Sequence, residues 1–227
     1  MGERHEYFAG EDRMSGYRAR PEVANGAALL VLPAFAGLRE FEMAQCDHFA
    51  ALGYEVLGVD YYGDGWATSD MDAAGAAMAV LNADRHLFLR RTEAALAQAQ
   101  GWAAKVGAMG FCLGGKGVLD LARAGHLDAA VSLHGVYDAP PFGGLPMPPV
   151  LLCHGWNDPL ATPAQFVDLV AELEAHSSDW HALTFGQTGH AFTNPARGNE
   201  VPGMGYHAAS ARRTQAAVET FLAEQLL

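Results

Sequence analysis

The stretch Gly110-Phe111-Cys112-Leu113-Gly114-Gly115 decides how this chain folds. It follows an apolar run at 105–109 that predicts a buried strand, and it precedes a run at 118–124 that predicts a helix. The glycines suit a sharp strand-to-helix turn, where larger side chains would collide with the neighbouring strand and helix. Such a turn places the Cys112 sulfur at a helix N-terminus, where the helix dipole favours a thiolate. The alternative is a glycine-rich turn around an ordinary buried cysteine.

A second polar residue at a strand end is Asp158. The run 149–153 predicts a buried strand, and Asp158 lies in the turn that follows it. Thr162-Pro163 then predicts a helix start, with an N-cap residue and a proline at the first helical position. Asp158 could instead only cap that helix, and the adjacent Asn157 could take the role assigned to it.

A histidine follows the next predicted strand. The run 180–185 predicts that strand, and His190 lies in the glycine-flanked loop after it. Cys112, Asp158 and His190 therefore each follow a strand, in the chain order nucleophile, acid, histidine. This is the order in which hydrolases with a nucleophile elbow supply their catalytic triad.

Strand and helix patterns alternate along the rest of the chain. The run 27–32 is apolar throughout, as expected of a strand that is covered on both faces. The alternation predicts an α/β fold with a mostly parallel, doubly wound sheet, an N-terminal antiparallel hairpin and helices on both faces. The further predicted elements are hairpin strands at 6–9 and 14–20, strands at 54–59 and 129–133, and helices at 38–52, 73–104 (broken near Asn82) and 206–227.

These motifs resemble the dienelactone hydrolase family of α/β-hydrolases over nearly the whole chain. The stretches that carry the resemblance are GFCLGG at 110–115, HGWNDP at 154–159, GHAFTNP at 189–195, ALLVLPAFAGL at 28–38 and VDYYGDG at 59–65. The cysteine elbow is the most specific of them, because most relatives with this fold use serine. The resemblance implies one α/β-hydrolase domain over residues 1–227, with Cys112 as nucleophile, His190 as base, Asp158 as the orienting acid, and the backbone N–H groups of Phe35 and Leu113 as the oxyanion hole.

Two positions depart from the enzymes that name the family. Those enzymes have a glutamate that contacts the resting thiol where this chain has Ala34, and a carboxylate-binding arginine where it has Asn194. An asparagine cannot supply the charged, bidentate contact that favours a carboxylate. We therefore expect neutral short-chain esters or lactones to be hydrolysed at least as well as carboxylated dienelactones. Arg91 or Lys116 could still bind a carboxylate from another direction.

Other side chains near the strand ends are candidates for a substrate pocket. His134 follows a predicted strand and could line the pocket mouth, or it could be a hydrogen-bonded histidine at a strand end. Lys116 lies in the first turn of the predicted elbow helix, where it could bias the local charge or simply reach solvent. The remaining candidates lie in loops and could equally be packing residues: Tyr62, Trp66, Tyr137 and Leu160.

Composition limits the partners. The chain has 227 residues and a formal net charge of -12, which disfavours nucleic acid as a partner. We expect no membrane span, because no apolar run approaches the ~20 residues that a span needs, and no signal peptide pattern opens the chain. The three cysteines lack paired or metal-like spacing and the ten histidines lack HExxH spacing, so we expect neither a metal nor a cofactor. A thiol nucleophile fits a reducing cytoplasm.

The sequence thus favours a cytoplasmic, cofactor-free hydrolase that acts on small-molecule esters or lactones through an acyl-cysteine. We expect a monomer or a small homo-oligomer. A thioesterase with the same residues is the closest alternative. A binding or sensor protein that keeps the fold but turns over poorly is the other, because Ala34 implies a different means of activating the thiol.

Overall fold

A computed structural model describes residues 2–198 and 201–227 of the chain. In these residues the chain forms an eight-stranded sheet with the order β1-β2-β4-β3-β5-β6-β7-β8. The strands are β1 Glu3–Ala9, β2 Asp12–Ala19, β3 Ala27–Leu32, β4 Glu55–Gly58, β5 Lys105–Phe111, β6 Ala129–Leu133, β7 Val150–Gly155 and β8 Trp180–Phe185. The helices are α1 Glu40–Ala51, α2 Met71–Ala83, α3 Arg85–Gln100, α4 Leu113–Arg123, α5 Pro163–His176 and α6 Ala208–Leu226.

The sheet is parallel except at its N-terminal edge. β1 pairs antiparallel with β2, and β2 pairs antiparallel with β4. Every other neighbouring pair, from β4 through β3 to β8, is parallel. The predicted α/β fold with an N-terminal hairpin is therefore confirmed. Parallel strands bring their carboxyl ends to one edge of the sheet, where ligand sites of such folds lie.

Helices cover both faces of this sheet. Along β3, Leu30 and Leu32 pack into a core with Phe88 of α3, whereas Leu29 and Val31 pack with Phe49 of α1 on the opposite face. Successive side chains of a strand point to opposite faces, so a strand between two helical layers must be apolar at every position. This explains why β3, β6 and β7 are buried along their whole length, while the edge strand β8 is mostly exposed.

Some helix boundaries differ from the predicted ones. The break near Asn82 lies at Asp84, whose side chain accepts the N–H of Leu87 at 2.8 Å and caps α3. The elbow helix α4 begins at Leu113 and not near 118, because its glycine-rich first turn carries little helical signal. No helix in the described parts of the chain has both the length and the apolar character that crossing a bilayer requires.

Candidate active site

Cys112 lies alone between β5 and α4, in a strained conformation. Its φ is 55° and its ψ is -113°, a region that residues with a side chain rarely occupy. Glycines make the turn possible. A Cβ on Gly110 would collide with the backbone of Gly114, and a Cβ on Gly114 would collide with the carbonyl oxygens of Leu32 and Pro33. The turn thus aims the thiol at the carboxyl edge of the sheet.

Asp158 and His190 meet at the same edge. Asp158 follows β7, His190 follows β8, and Nδ1 of the imidazole lies 2.7 Å from Oδ2 of the carboxylate. Both side chains are buried. The other carboxylate oxygen, Oδ1, accepts the N–H groups of Leu160 at 2.8 Å and Ala161 at 3.2 Å. Asn157 is exposed instead, so Asp158 is the residue of this turn that contacts the histidine.

Cys112 and His190 shift each other's proton affinity. Burial alone would raise the pKa of Cys112, but the charge of His190, a hydrogen bond with it and the N–H of Leu113 outweigh burial and lower that pKa. Burial alone would lower the pKa of His190, but Cys112 and Asp158 outweigh it and raise that pKa to about 10. Nε2 of His190 is nevertheless buried without a well-aligned hydrogen bond, so the resting contact with sulfur is close but loosely directed. The arrangement favours a thiolate beside an imidazolium.

The other two cysteines lie in apolar surroundings. Burial raises the pKa of Cys46 well above its ordinary value. Burial raises the pKa of Cys153 to about 12, although a hydrogen bond with Thr214 partly opposes the effect. Both thiols are therefore protonated at neutral pH, and Cys112 differs from them in its ionisation.

Two backbone N–H groups are candidates for binding an oxyanion at this site. Leu113 is the first residue of α4, and its N–H lies against the Cys112 sulfur. Phe35 lies in the loop between β3 and α1 and lines the same cavity as Cys112. Among the described residues the Phe35 N–H has no hydrogen-bond acceptor, unlike the N–H of its neighbour Ala34, which donates to Glu42 at 3.4 Å.

A cavity of about 460 Å³ opens over Cys112 and His190. Its walls come from α1, from α2 and from the loops after β3, β6, β7 and β8. Besides Cys112 and His190, five of the residues that the sequence suggested for the site line it: Ala34, Phe35, His134, Leu160 and Asn194. Further lining residues were not suggested by the sequence: Phe41, Glu42, Met71, Met78, Phe111, Arg197 and Met204. Most of these side chains are apolar.

His134 lines the cavity and packs against His190. Its Nε2 lies 2.8 Å from the Thr193 hydroxyl, and its ring centroid is 5.0 Å from that of His190. Burial and the neighbouring charge of His190 lower the pKa of His134 well below its ordinary value. His134 therefore lines the cavity, and its ring is only partly satisfied, because the buried Nδ1 has no hydrogen-bond partner among the described residues.

Among the described residues, Glu42 is the acidic side chain that lines the cavity. It lies on α1, and its carboxylate accepts the N–H of Ala34 at 3.4 Å and of Arg39 at 3.3 Å. Burial raises its pKa, and the backbone N–H groups of Glu42 itself, Ala34 and Arg39, together with the charge of Arg39, partly oppose the effect. A glutamate three residues after a helix N-cap usually indicates only a capping box, which is why the sequence did not single it out.

Three of the suggested pocket residues lie elsewhere. Tyr62, Trp66 and Arg91 line a separate groove of about 560 Å³ near the N-terminal hairpin. Arg91 forms an ion pair with Asp12 at 2.9 Å, so it does not face Cys112's cavity.

Tyr137 and Lys116 are also directed away from the cavity. Tyr137 is buried, with its ring centroid 5.6 Å from that of His154. Lys116 is buried in the first turn of α4, where its Nζ lies 2.7 Å from both Asp138 and Asn82. Lys116 therefore joins the first turn of α4 to Asp138 and Asn82, and it does not reach solvent.

Comparison with known proteins identifies the family of this chain. The model of the dienelactone hydrolase family matches residues 14–226. The solved structure of the dienelactone hydrolase-like promiscuous phosphotriesterase P91 from metagenomic libraries is similar, with a TM-score of 0.90 and 29% identity over 100% of this chain and 99% of that one. The dienelactone hydrolase of Anabaena variabilis shares the fold, with a TM-score of 0.70 and 23% identity over 100% of this chain and 99% of that one.

A curated Bradyrhizobium protein extends the likeness to sequence. It is described as a probable 2-oxo-3-(5-oxofuran-2-ylidene)propanoate lactonase, and it is 25% identical over 199 residues, which are 81% of this chain and 80% of that protein. The family match spans the elbow, the acid turn and the histidine loop in one continuous stretch. With an α/β-hydrolase sheet and these residues at its carboxyl edge, the chain is a hydrolase that belongs to the dienelactone hydrolase family.

Proposed function

We propose that this protein hydrolyses neutral carboxylic esters or lactones through an acyl-cysteine on Cys112. The observation that carries the proposal is the buried chain of contacts from Asp158 to His190 to Cys112, with a 2.7 Å hydrogen bond at its first link and an apolar cavity over the sulfur. Three residues far apart in sequence meet only because each follows a parallel strand. A buried histidine with its pKa raised to about 10 beside a cysteine with a lowered pKa is the pairing that activates a thiol.

In the first half of the reaction the Cys112 thiolate attacks the carbonyl carbon. The C–S bond forms, and the carbonyl π electrons move onto oxygen, where the N–H groups of Phe35 and Leu113 stabilise the oxyanion. Each such donor is typically worth about 3–4 kcal/mol of barrier. The oxyanion then collapses, the C–O bond to the alcohol breaks, and Nε2 of the His190 imidazolium donates its proton to the departing alkoxide.

In the second half, water hydrolyses the acyl-cysteine. Neutral His190 accepts a proton from water at Nε2, and the hydroxide oxygen bonds to the acyl carbon. The second oxyanion collapses, the C–S bond breaks, and the thiolate returns beside an imidazolium. Asp158 holds Nδ1–H throughout, which keeps Nε2 directed at the reacting atoms.

The preference for neutral substrates rests on the cavity walls. Asn194 lines the cavity, while Arg91 and Lys116, which could have replaced the missing arginine, are paired with acids outside it. The cation that does line the cavity among the described residues is the exposed Arg197, and the buried Glu42 opposes an anion there.

A comparison of kcat/KM for a carboxylated dienelactone and a neutral ester of similar size tests this preference. We expect the neutral ester to be hydrolysed at least as well. A clear preference for the dienelactone that disappears in Arg197→Ala would show that the carboxylate site exists and uses Arg197.

Hydrolysis of p-nitrophenyl acetate tests the mechanism itself. Cys112→Ala and His190→Ala should each remove most turnover while the protein stays folded, and the double variant should lose little more than either single one, because the residues act as a unit. Near-wild-type turnover by Cys112→Ala would overturn the acyl-cysteine mechanism. Including thioesters and a p-nitrophenyl phosphotriester in the panel decides between related activities.

Hydrolysis of neutral phosphotriesters is a second candidate function. It is favoured by the likeness to P91, a dienelactone hydrolase-like promiscuous phosphotriesterase, together with the mostly apolar cavity walls. A neutral triester requires no cation in the pocket and benefits from apolar walls. Turnover of the phosphotriester that is absent in Cys112→Ala would support this activity, and no turnover would exclude it.

A further inference from the structure

The loop at 33–35, which carries the Phe35 N–H, accepts a hydrogen bond at the carbonyl of each of its three residues. The single proton of the Tyr61 hydroxyl is shared between the carbonyls of Pro33 at 2.7 Å and Ala34 at 2.9 Å, and the Tyr62 hydroxyl donates to the carbonyl of Phe35 itself at 2.8 Å. Both phenols remain protonated donors, because burial raises the pKa of each, with Cys112 among the groups that add to the effect. Two neighbouring tyrosines thus pin three consecutive peptide groups.

The same loop is fixed from two other directions. The carbonyl of Ala36 accepts the N–H of Thr68 at 3.0 Å, and the N–H of Ala34 donates to Glu42 at 3.4 Å. Among the described residues, the Phe35 N–H is left without an acceptor while the groups around it are paired. A preorganised donor of this kind is what an oxyanion requires, since no hydrogen bond has to be broken before it acts.

The tyrosines are themselves anchored by Arg91. Its Nη1 donates to the carbonyls of Tyr61 at 3.2 Å and Tyr62 at 2.9 Å, while its Nε and Nη2 donate to one oxygen of Asp12 at 3.1 and 2.9 Å. The guanidinium therefore joins the tyrosine pair to the first residue of β2. From this position Arg91 can influence the reaction only through other residues.

We propose that Tyr62, anchored by Arg91, is a positioning residue that sets the Phe35 N–H for oxyanion stabilisation. The inference rests on the proposed function. The Phe35 N–H shares a peptide group with the Ala34 carbonyl, which the Tyr61 hydroxyl and the Gly37 N–H hold, and the Tyr62 hydroxyl holds the next peptide group through the carbonyl of Phe35. Loss of the Tyr62 bond frees that next peptide group, so the Phe35 backbone can rotate and the direction of its N–H is fixed from one side only.

Tyr62→Phe tests this role, because it removes one hydroxyl and keeps the ring. We expect kcat for p-nitrophenyl acetate to fall about 10-fold or more, which is less than the ~100-fold or greater loss on removing an oxyanion donor, since the donor is displaced and not deleted. KM should stay within about two-fold. The acylation burst and the later deacylation should both slow, because each passes through an oxyanion.

Alkylation of Cys112 by iodoacetamide separates positioning from general disruption. This reaction is a displacement at carbon with no oxyanion, so its rate should be unchanged in Tyr62→Phe. Arg91→Gln should lower kcat in the same sense, and the Tyr62→Phe/Arg91→Gln double variant should lose less than the product of the two single effects. Tyr17→Phe is the matched control, because its hydroxyl contacts Asp47 away from the cavity and its loss should leave kcat unchanged.

The outcomes distinguish this inference from the proposed function. An unchanged kcat in Tyr62→Phe, or a parallel fall in kcat and in the alkylation rate, overturns the positioning role while Cys112-dependent turnover stands. Turnover that does not depend on Cys112 overturns both. Slowed acylation with normal deacylation would also overturn the positioning role of Tyr62, because that pattern indicates an effect on the leaving group.

Discussion

Replacing Asp158 by asparagine should disable the site while leaving its shape intact. The Oδ1 atom of Asp158 accepts two N–H groups, from Leu160 at 2.8 Å and Ala161 at 3.2 Å. An asparagine must keep its carbonyl oxygen on that side, because its NH2 group cannot accept from two donors. The NH2 group then faces Nδ1 of His190, which sits 2.7 Å from the native Oδ2. Nδ1 becomes an acceptor, and the ring proton moves to Nε2.

The magnitude follows from this tautomer change. A histidine with a proton on Nε2 and an acceptor at Nδ1 cannot take the proton of Cys112 without losing its bond to residue 158. The analogous change in serine triads costs about four orders of magnitude in kcat. We expect a loss of about 10³- to 10⁴-fold in kcat/KM for p-nitrophenyl acetate, or about 4–5.5 kcal/mol of barrier.

The pH dependence of thiol alkylation gives a second readout. In the wild type the pKa of Cys112 is lowered and that of His190 is raised to about 10, so the thiolate should persist at neutral pH and titrate away as the pH falls through the Cys112 pKa. In Asp158→Asn the imidazolium is lost, which raises the Cys112 pKa. Removal of the carboxylate's own charge acts the other way, but it is the smaller influence. The alkylation midpoint should therefore move to higher pH.

Two controls make the result interpretable. Asn157→Ala changes the exposed neighbour in the same turn and should keep turnover within about two-fold of wild type. Thermal unfolding should show that Asp158→Asn retains nearly the wild-type melting temperature, since the two backbone hydrogen bonds survive. A folded Asp158→Asn enzyme with turnover within ten-fold of wild type would refute the reasoning.

Three further outcomes are expected. Iodoacetamide should label Cys112 much faster than Cys46 and Cys153, because burial raises the pKa of those two thiols. Peptide mass spectrometry would show the order of labelling, and faster labelling of either core cysteine would count against an activated Cys112. Gly114→Ala should lower kcat by at least ~100-fold, because its Cβ would displace the Pro33 carbonyl and with it the oxyanion loop; steady-state kinetics checks this, and a normal kcat contradicts it. Arg85→Met removes the guanidinium that donates to both oxygens of the buried Asp120 at 2.6–2.9 Å. Urea unfolding should show that the free energy of unfolding falls by about 3–5 kcal/mol, and a fall below ~1 kcal/mol would mean that the buried pair is not important to stability.

The strands could be predicted because their signal is local. The bounds of β3, β6 and β8 agree with the predicted runs 27–32, 129–133 and 180–185. Each is a short run with polar or turn residues at its ends. For β3 and β6, which are buried throughout, an apolar run between such ends is a sufficient signal, whereas β8 is a mostly exposed edge strand. The first turn of α4 could not be predicted from propensity, because its glycines are there for close packing against the neighbouring strands and loop.

The sequence also predicted that Asp158 and His190 lie close together, because parallel strands bring their carboxyl ends to one edge of the sheet. It did not predict which residues form the walls of the cavity. Met71 and Met78 of α2 line the cavity. Tyr62, in the long loop between β4 and α2, instead lines the separate groove near the N-terminal hairpin. Side-chain direction in a long loop depends on its tertiary contacts, here the hydrogen bond from Tyr62 to the carbonyl of Phe35, and no short-range pattern encodes it.

The N-terminal hairpin contributes no described residue to the cavity over Cys112, yet it is bonded to residues that hold the Phe35 loop. Asp12 at the start of β2 binds Arg91, and the Ser15 N–H in the same strand donates to Asp60 at 2.9 Å. The other oxygen of Asp60 accepts the N–H of Tyr62 at 2.9 Å. We therefore expect that a truncated chain that begins at β3 would lose the contacts that hold Tyr62 and, through it, the Phe35 loop, although Cys112, Asp158 and His190 all lie in the remaining part.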